Sequence, residues 1–209
     1  VFDALPATGP TYTLDRVIDC RTESDPECAS QLAVIVDGTI HVPSLLDPPD
    51  ALGVRRLRTD YSIDGTEDWP FRLQIPHTAY DDAPVPVLQY GHGFLGSMAE
   101  ANNGWLREMA QRKGLAVLSC SMQGMNETDA EIWIAVLGQD GGRFPALAEK
   151  AMQGVVNQLA LQRMVMTSLA ADPHPAFYRE DGTLAWDSET VWYHGNSQGG
   201  SVGTVMMAM

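Results

Sequence analysis

The chain has little positive charge. Lysine occurs only at Lys113 and Lys150, and the 13 basic residues face 27 acids, for a formal net charge of −14 over 209 residues. Neutralising a phosphate backbone needs clustered Lys and Arg, so no nucleic-acid partner is expected. The densest basic run, Arg55, Arg56 and Arg58, lies in an alternating stretch and reads as scattered surface charge. Long apolar runs are missing too. The longest segment without Asp, Glu, Lys or Arg is Thr190–Met209, and it contains His194, Asn196, Ser197, Gln198 and several glycines. A lipid-facing helix does not carry such residues, so no membrane span is expected. Cysteine is scarce, and neither CxxC nor HExxH occurs, so no metal site is expected. Cys20 and Cys28 bracket a polar loop and favour a small disulfide over two free thiols. That pairing would put the chain in an oxidising, secreted or periplasmic compartment. Cys120, in an apolar run, reads as a buried thiol.

What is present is an ordinary apolar fraction of 44%, which excludes a disordered chain. The length fits one large domain, or a core with an N-terminal extension. The expected division is a β-rich extension over 1–52 and a core over 53–209. The first residue is Val1 rather than Met, so a processed chain or a piece of a longer one is expected.

Residues 1–30 read as polar and irregular. In 31–43, two β-branched runs flank Asp37-Gly38, a hairpin signal. Residues 44–52, with Pro48 and Pro49, read as a linker. A second hairpin is expected with strands at 54–63 and 70–75 around Asp64-Gly65-Thr66. From residue 84 the pattern changes. Apolar strands are expected at 85–90, 115–120 and 190–194, and helices at 98–113, closed by Gly114, at 129–137, and at 146–171. A glycine-rich loop is expected over 138–145. Methionines in the long helix read as core filler rather than as ligands. Apolar strands alternating with helices predict an α/β fold: a mostly parallel sheet, helices on both faces, and an antiparallel N-terminal hairpin at one edge.

The sharpest motif is Gly195-Asn196-Ser197-Gln198-Gly199, directly after the third apolar strand and before an expected helix. A tight strand-to-helix turn projects the serine hydroxyl from the carboxyl end of the sheet, where open α/β sheets bind ligands. The helix N-terminus behind it favours developing negative charge. The bland reading is a glycine-rich βα turn. A second motif, Gly91-His92-Gly93-Phe94-Leu95-Gly96, follows the first of these strands. It fits a dinucleotide fingerprint, but that reading needs an acid at the end of the next strand, and Leu118-Ser119-Cys120-Ser121 has none. The other reading is a loop that aims the Phe94 N–H at an oxyanion, with the Gln198 N–H as second donor. Each such donor is worth about 2.7–4 kcal/mol.

Together these residues resemble the α/β-hydrolase superfamily over roughly 53–209. The resemblance implies a serine hydrolase acting on carboxylic esters, with Ser197 as nucleophile and the Phe94 and Gln198 N–H groups as oxyanion hole. Gly195 and Gly199 permit the turn, and His92 and Gly93 shape the loop. The substrate would be a small-molecule ester or acyl compound, and no cofactor is implied. The same motif would serve a serine peptidase. A non-catalytic binding module on a hydrolase scaffold is the third reading. The sequence departs from the family in one respect. The acid and the histidine should follow the serine, yet no Asp, Glu or His follows Ser197, and His41, His77, His92, His174 and His194 all precede it. His194 reads as a core or supporting residue and His174 as an exposed loop residue. An incomplete fold is therefore expected, its triad completed by a missing C-terminal segment or a second chain. Met122–Pro145 is expected to form a wall or lid over Ser197, with Trp133, Ile134, Val136, Leu137 and Phe144 available to line a pocket.

Overall fold

The structure, a computed structural model, describes residues 7–51 and 53–208, so the readings of Val1 and Met209 lie outside it. Six strands form one sheet: β1 (Tyr12–Asp19), β2 (Leu32–Pro43), β3 (Thr66–Pro76), β4 (Val85–Gly91), β5 (Ala116–Cys120) and β6 (Trp186–Gly195). Their order is β1-β2-β3-β5-β4-β6. The pairs β5–β4 and β4–β6 are parallel, and β1–β2, β2–β3 and β3–β5 are antiparallel. The helices are α1 (Thr78–Asp81), α2 (Gly104–Lys113), α3 (Ala130–Gln139), α4 (Phe144–Met166) and α5 (Gln198–Met207). This is the expected α/β class, with the antiparallel strands gathered at one edge.

Alternation along the parallel strands sends neighbouring side chains to opposite faces. Val87, Leu118 and Cys120 join a core with Leu161, Met164 and Val165 of α4. Leu88, Tyr90 and Val117 instead pack on Leu106 and Ala110 of α2. Helices therefore cover both faces. Gly114, with φ +62°, closes α2 in the left-handed conformation that glycine reaches without strain. Pro145 sits in the first turn of α4, where its missing N–H costs no helical bond.

The N-terminal half departs from the expectation. Residues 12–19 are a strand, not irregular chain, and Asp37-Gly38 lies inside the continuous strand β2. The physical reasons are visible. Asp37 accepts hydrogen bonds from Arg16 on β1 and Arg72 on β3. A side chain at position 38 would run into the Phe71 ring and the Thr13 carbonyl. The Asp-Gly pair is thus a charge and a gap in mid-sheet rather than a turn. Residues 54–63 form no strand either. Arg55 turns back onto the carbonyls of Leu46 and Asp47 and pairs with Glu67, Arg56 pairs with Glu149, and Arg58 with Asp64. Each arginine of that run has its own acid. The glycine-rich loop expected over 138–145 is shorter, because α3 runs to Gln139 and α4 begins at Phe144. Cys20 and Cys28 are disulfide-bonded, within the β1–β2 connection. The Cys120 thiol is buried and unpaired, and burial pushes its pKa up to about 12.

A buried amide relay ties α4 to the loop after β5. Gln153 donates to Asn157 at 2.9 Å, Asn157 to Gln123 at 2.7 Å, and Gln123 to Glu67 on β3 at 2.8 Å. Satisfied amides of this kind rigidify where unsatisfied ones would destabilise. The relay holds Gln123, and the loop around it reaches the segment after β4 through Met122 and Met125.

Candidate functional site

The β6–α5 turn is built by omission of side chains. Ser197 has φ +51° and ψ −113°, a conformation that costs a non-glycine residue on the order of 1–3 kcal/mol. The turn is held from both sides. The Asn196 N–H donates to the Gly91 carbonyl at 2.9 Å, and the Gly199 N–H to the Asn196 carbonyl at 2.8 Å. A Cβ on Gly195 would collide with the Gly199 backbone, and one on Gly199 with the Gly91 carbonyl. Both glycines are therefore required by the close approach of α5 to the ends of β4 and β6. Beneath them the Tyr193 hydroxyl donates to the Gly199 carbonyl at 2.8 Å, and its ring and hydroxyl fill the space that side chains at Gly203 and Gly91 would need.

The loop after β4 comes to the same place. A Cβ on Gly93 would lie 3.9 Å from the Ser197 Cβ and 3.3 Å from the Asn196 amide nitrogen. His92 is fully buried beneath it. The Met122 N–H donates to His92 Nε2 at 2.7 Å, so the ring proton is on Nδ1, which donates to the Gly93 carbonyl at 2.7 Å. Burial pulls this imidazole below its ordinary pKa, so it is neutral at pH 7. Its role in the structure is to brace the loop. The Leu95 N–H, at φ +55°, donates to the Met125 carbonyl, and the Glu127 N–H to the Gly96 carbonyl. Among the described residues, no backbone hydrogen bond of the turns and loops engages the N–H of Phe94 or Gln198.

The structure therefore brings Ser197, Gln198, Gly93, His92 and the start of Phe94 together. It does not bring a histidine to Ser197: among the described residues no hydrogen bond links them. His194 is exposed and lies beside Tyr90 and Trp105, with ring centroids 5.8 and 6.0 Å away. His174 is half-buried, not an exposed loop residue; it accepts from the Ala176 N–H and packs on Phe177. His41 pairs with Asp68.

Beside the turn runs an apolar groove of about 440 Å³, lined among others by Met125, Trp133, Phe144, Met152, Gln198 and Val202. The half-exposed Phe94 ring stands edge-on to Trp133 at 4.9 Å, and Trp133 edge-on to Phe144 at 6.4 Å. The Trp133 indole N–H is anchored on the Gly124 carbonyl. Of the five residues offered for a pocket, Trp133 and Phe144 line it. Val136 is buried in a small cluster with Val54 and Leu147, while Ile134 and Leu137 face outward.

Two groups were not legible in the sequence. The 122–126 loop carries Met122 and Met125, whose backbone groups hold His92 and Leu95. Glu100 places its carboxylate against Tyr90, Gly93 and Asn196. Neither has a sequence signature, since each acts on backbone or side chains of a different loop.

Among the described residues no helix is long and apolar enough to cross a membrane, and no cluster of His, Cys, Asp and Glu is placed to hold a metal ion. No family model matches the chain, and no curated protein matches it. Among solved structures it is similar to a Bacteroides fragilis protein assigned as an acetyl xylan esterase, at 12% identity and a TM-score of 0.48 over 97% of this chain and 46% of that one. It is also similar to a ligand-bound form of the rice cell wall degrading esterase LipA from Xanthomonas oryzae, at 16% identity and a TM-score of 0.41, again over 97% and 46%. The chain spans about half the length of these structures.

Proposed function

We propose that this chain carries the nucleophile of a serine hydrolase that cleaves carboxylic esters. The observation that carries the reading is the backbone of Ser197: a non-glycine residue held at φ +51° between two obligatory glycines, at the N-terminus of a helix and the end of a parallel strand. Such strain persists where the surroundings over-determine it, and it clusters at functional sites. In this reading the Ser197 Oγ attacks the ester carbonyl carbon while its proton passes to a base. The tetrahedral oxyanion accepts from the Phe94 and Gln198 N–H groups, the alcohol leaves with a proton, and water then cleaves the acyl-Ser197 ester.

The base and its acid are assigned to residues beyond those described, on a further segment or a second chain. The open edge of β6 supports this, because among the described residues β6 pairs only with β4, and Trp192 on it is 59% exposed. An unpaired strand edge is a surface that another strand completes. The acyl group is assigned to the groove floored by α4 and α5, which reaches Gln198 beside the nucleophile. An extracytoplasmic setting fits the Cys20–Cys28 bond.

The test is labelling of the natural full-length protein by a fluorophosphonate. Covalent labelling is expected, and Ser197→Ala is expected to abolish it. Absence of labelling in the intact wild-type protein rejects the hydrolase reading and leaves a binding module on the same scaffold.

A further inference from the structure

The serine-hydrolase reading leaves the third glycine of Gly91-x-Gly93-x-x-Gly96 without a task. The structure gives it one. A side chain at Gly96 would collide with the Glu100 carboxylate, which lies across its Cα. That carboxylate is the meeting point of three donors from three segments. It accepts from the Tyr90 hydroxyl at 3.2 Å, at the end of β4. It accepts from the Gly93 N–H at 3.3 Å, in the loop after β4. It also accepts from the Asn196 side-chain amide at 3.2 Å, in the turn after β6.

The sequence positions give this link its meaning. Gly93 immediately precedes Phe94, and Asn196 immediately precedes Ser197 and Gln198. The two proposed oxyanion donors therefore sit on separate loops, one on each side of Glu100. The backbone ties the two loops at their bases, where the Asn196 N–H donates to the Gly91 carbonyl, but among the described residues no hydrogen bond runs directly between Asn196 and Gly93, the residue that precedes Phe94. The geometry points to Glu100 as a positioning residue that sets the distance between the Phe94 and Gln198 N–H groups, and hence the fit of the oxyanion.

The chemistry of the link explains why an acid is there. All three partners are donors, and a carboxylate accepts only, with lone pairs for all three. Tyr90 and Asn196 both donate to Oε2, and the Gly93 N–H is shared between the two oxygens, so a glutamine that keeps the first two donors turns its NH₂ group against the Gly93 N–H. The Tyr90 hydroxyl is kept protonated for its part, since burial and the neighbouring Glu100 charge push its pKa up to about 12. The carboxylate has a cost as well. A negative charge close to a developing oxyanion opposes it, so the arrangement is useful only if geometry outweighs that repulsion. The three hydrogen bonds, which converge on Oε2, offset part of that charge and reduce the repulsion.

The experiment uses the natural full-length protein and the variants Glu100→Gln, Asn196→Ala and the double variant. Three quantities are read: the rate of fluorophosphonate labelling, the affinity for an alkyl boronic acid, whose serine adduct is tetrahedral and anionic, and KM for a p-nitrophenyl ester. Glu100→Gln is expected to lower the labelling rate and the boronate affinity together, by about tenfold or more, with KM changed less than threefold, because mispositioned donors weaken the tetrahedral species and not the ground state. The double variant is expected to be no worse than the weaker single variant, since both cut the same link. Wild-type labelling and boronate binding in Glu100→Gln, with only a lower melting temperature, would overturn the proposal and leave the hydrolase reading standing. A wild-type protein that does not label overturns both. Asn196 is exposed, so Asn196→Ala keeps the test decisive if Glu100→Gln fails to fold.

Discussion

The two halves of the sheet are specified in different ways. On the side of β4, β6 and α5, structure is set by side chains that are missing. Gly91, Gly195, Gly199 and Gly203 let backbone meet backbone or the Tyr193 ring, and each is required by a neighbour that leaves no room for a Cβ. On the side of β1, β2 and β3, structure is set by side chains that are present. Arg16, Glu27, Asp37 and Arg72 form a crossed ionic network over the outer sheet, with Arg16 and Arg72 each pairing with both acids. The first device holds a strained serine in place and tolerates no movement. The second holds strands in register, with Arg16 and Glu27 partly exposed and Asp37 and Arg72 largely covered. The comparison predicts that reactivity and stability are separable properties of this molecule.

The largest effect should come from placing one methyl group in each half. Gly199→Ala would force α5 away from the Gly91 carbonyl and carry Ser197 with it. Labelling is expected to fall about 100-fold or more, since displacement by about 1 Å suffices for that. Gly38→Ala would drive a methyl into the Phe71 ring and the Thr13 carbonyl. It is expected to cost about 1–3 kcal/mol of stability, read as a lower urea midpoint, and to leave the labelling rate of folded protein unchanged. Equal losses of reactivity in the two variants would show that the halves are not separable.

The same contrast explains how much was legible. Gly195, Ser197 and Gly199 lie within five consecutive residues, so their joint meaning survives in the sequence. The parallel strands and α2 were readable for a similar reason, since periodicity and the closing Gly114 are local. The outer half failed where the cause was distant. Gly38 looks like a turn residue, but it answers to Phe71 on the next strand. Strand β1 hides its alternation because its register slips between Leu14 and Arg16, and a bulge breaks the two-residue period on which strand recognition rests. Val54–Ile63 alternates well, yet Arg55 folds back on Leu46, Asp47 and Glu67 instead of pairing in a ladder. Glu100 and Met122 were invisible because each serves a loop other than its own.

A smaller effect sharpens the comparison through pH. Burial alone would raise the Asp37 carboxyl, but hydrogen bonds from Arg72 and Arg16 prevail and hold it below the usual carboxylate range. Glu27 is held low by its bond to Arg16, with Arg72 adding to it. Depressed carboxylates stabilise the folded state above their unfolded pKa, near 4, and that contribution is lost as pH falls toward the folded value. Asp37→Asn is therefore expected to cost about 1–2 kcal/mol at pH 7. Its urea midpoint should converge with that of the wild type as pH falls below the ordinary carboxylate range toward the depressed folded values. A gap that stayed constant across pH 3–7 would mean that the carboxylate's shape, not its charge, holds the strands.

The smallest effect should fall between the two halves, on the groove wall. Trp133 stands between Phe94 of the loop after β4 and Phe144 at the start of α4, so it belongs to the site by position and to packing by chemistry. Its side chain does not touch Ser197 through any hydrogen bond, and its indole N–H is already engaged by Gly124. Removing it widens the groove without moving the turn. Trp133→Ala is expected to leave the fluorophosphonate rate within about threefold of wild type, because no donor to the oxyanion is lost. It should nevertheless shrink the preference for an octanoyl over an acetyl ester by about tenfold, since the wall supplies apolar contact only to the longer chain and a methylene in such a pocket is worth about 1–3 kcal/mol. The decisive reading is the ratio of kcat/KM for the two esters, not either value alone. An unchanged ratio would place the acyl group elsewhere and reduce Trp133 to a prop for Phe94. A lost fluorophosphonate rate would show instead that the Phe94–Trp133 contact is part of what aims the loop, and would join the wall to the device built around Ser197.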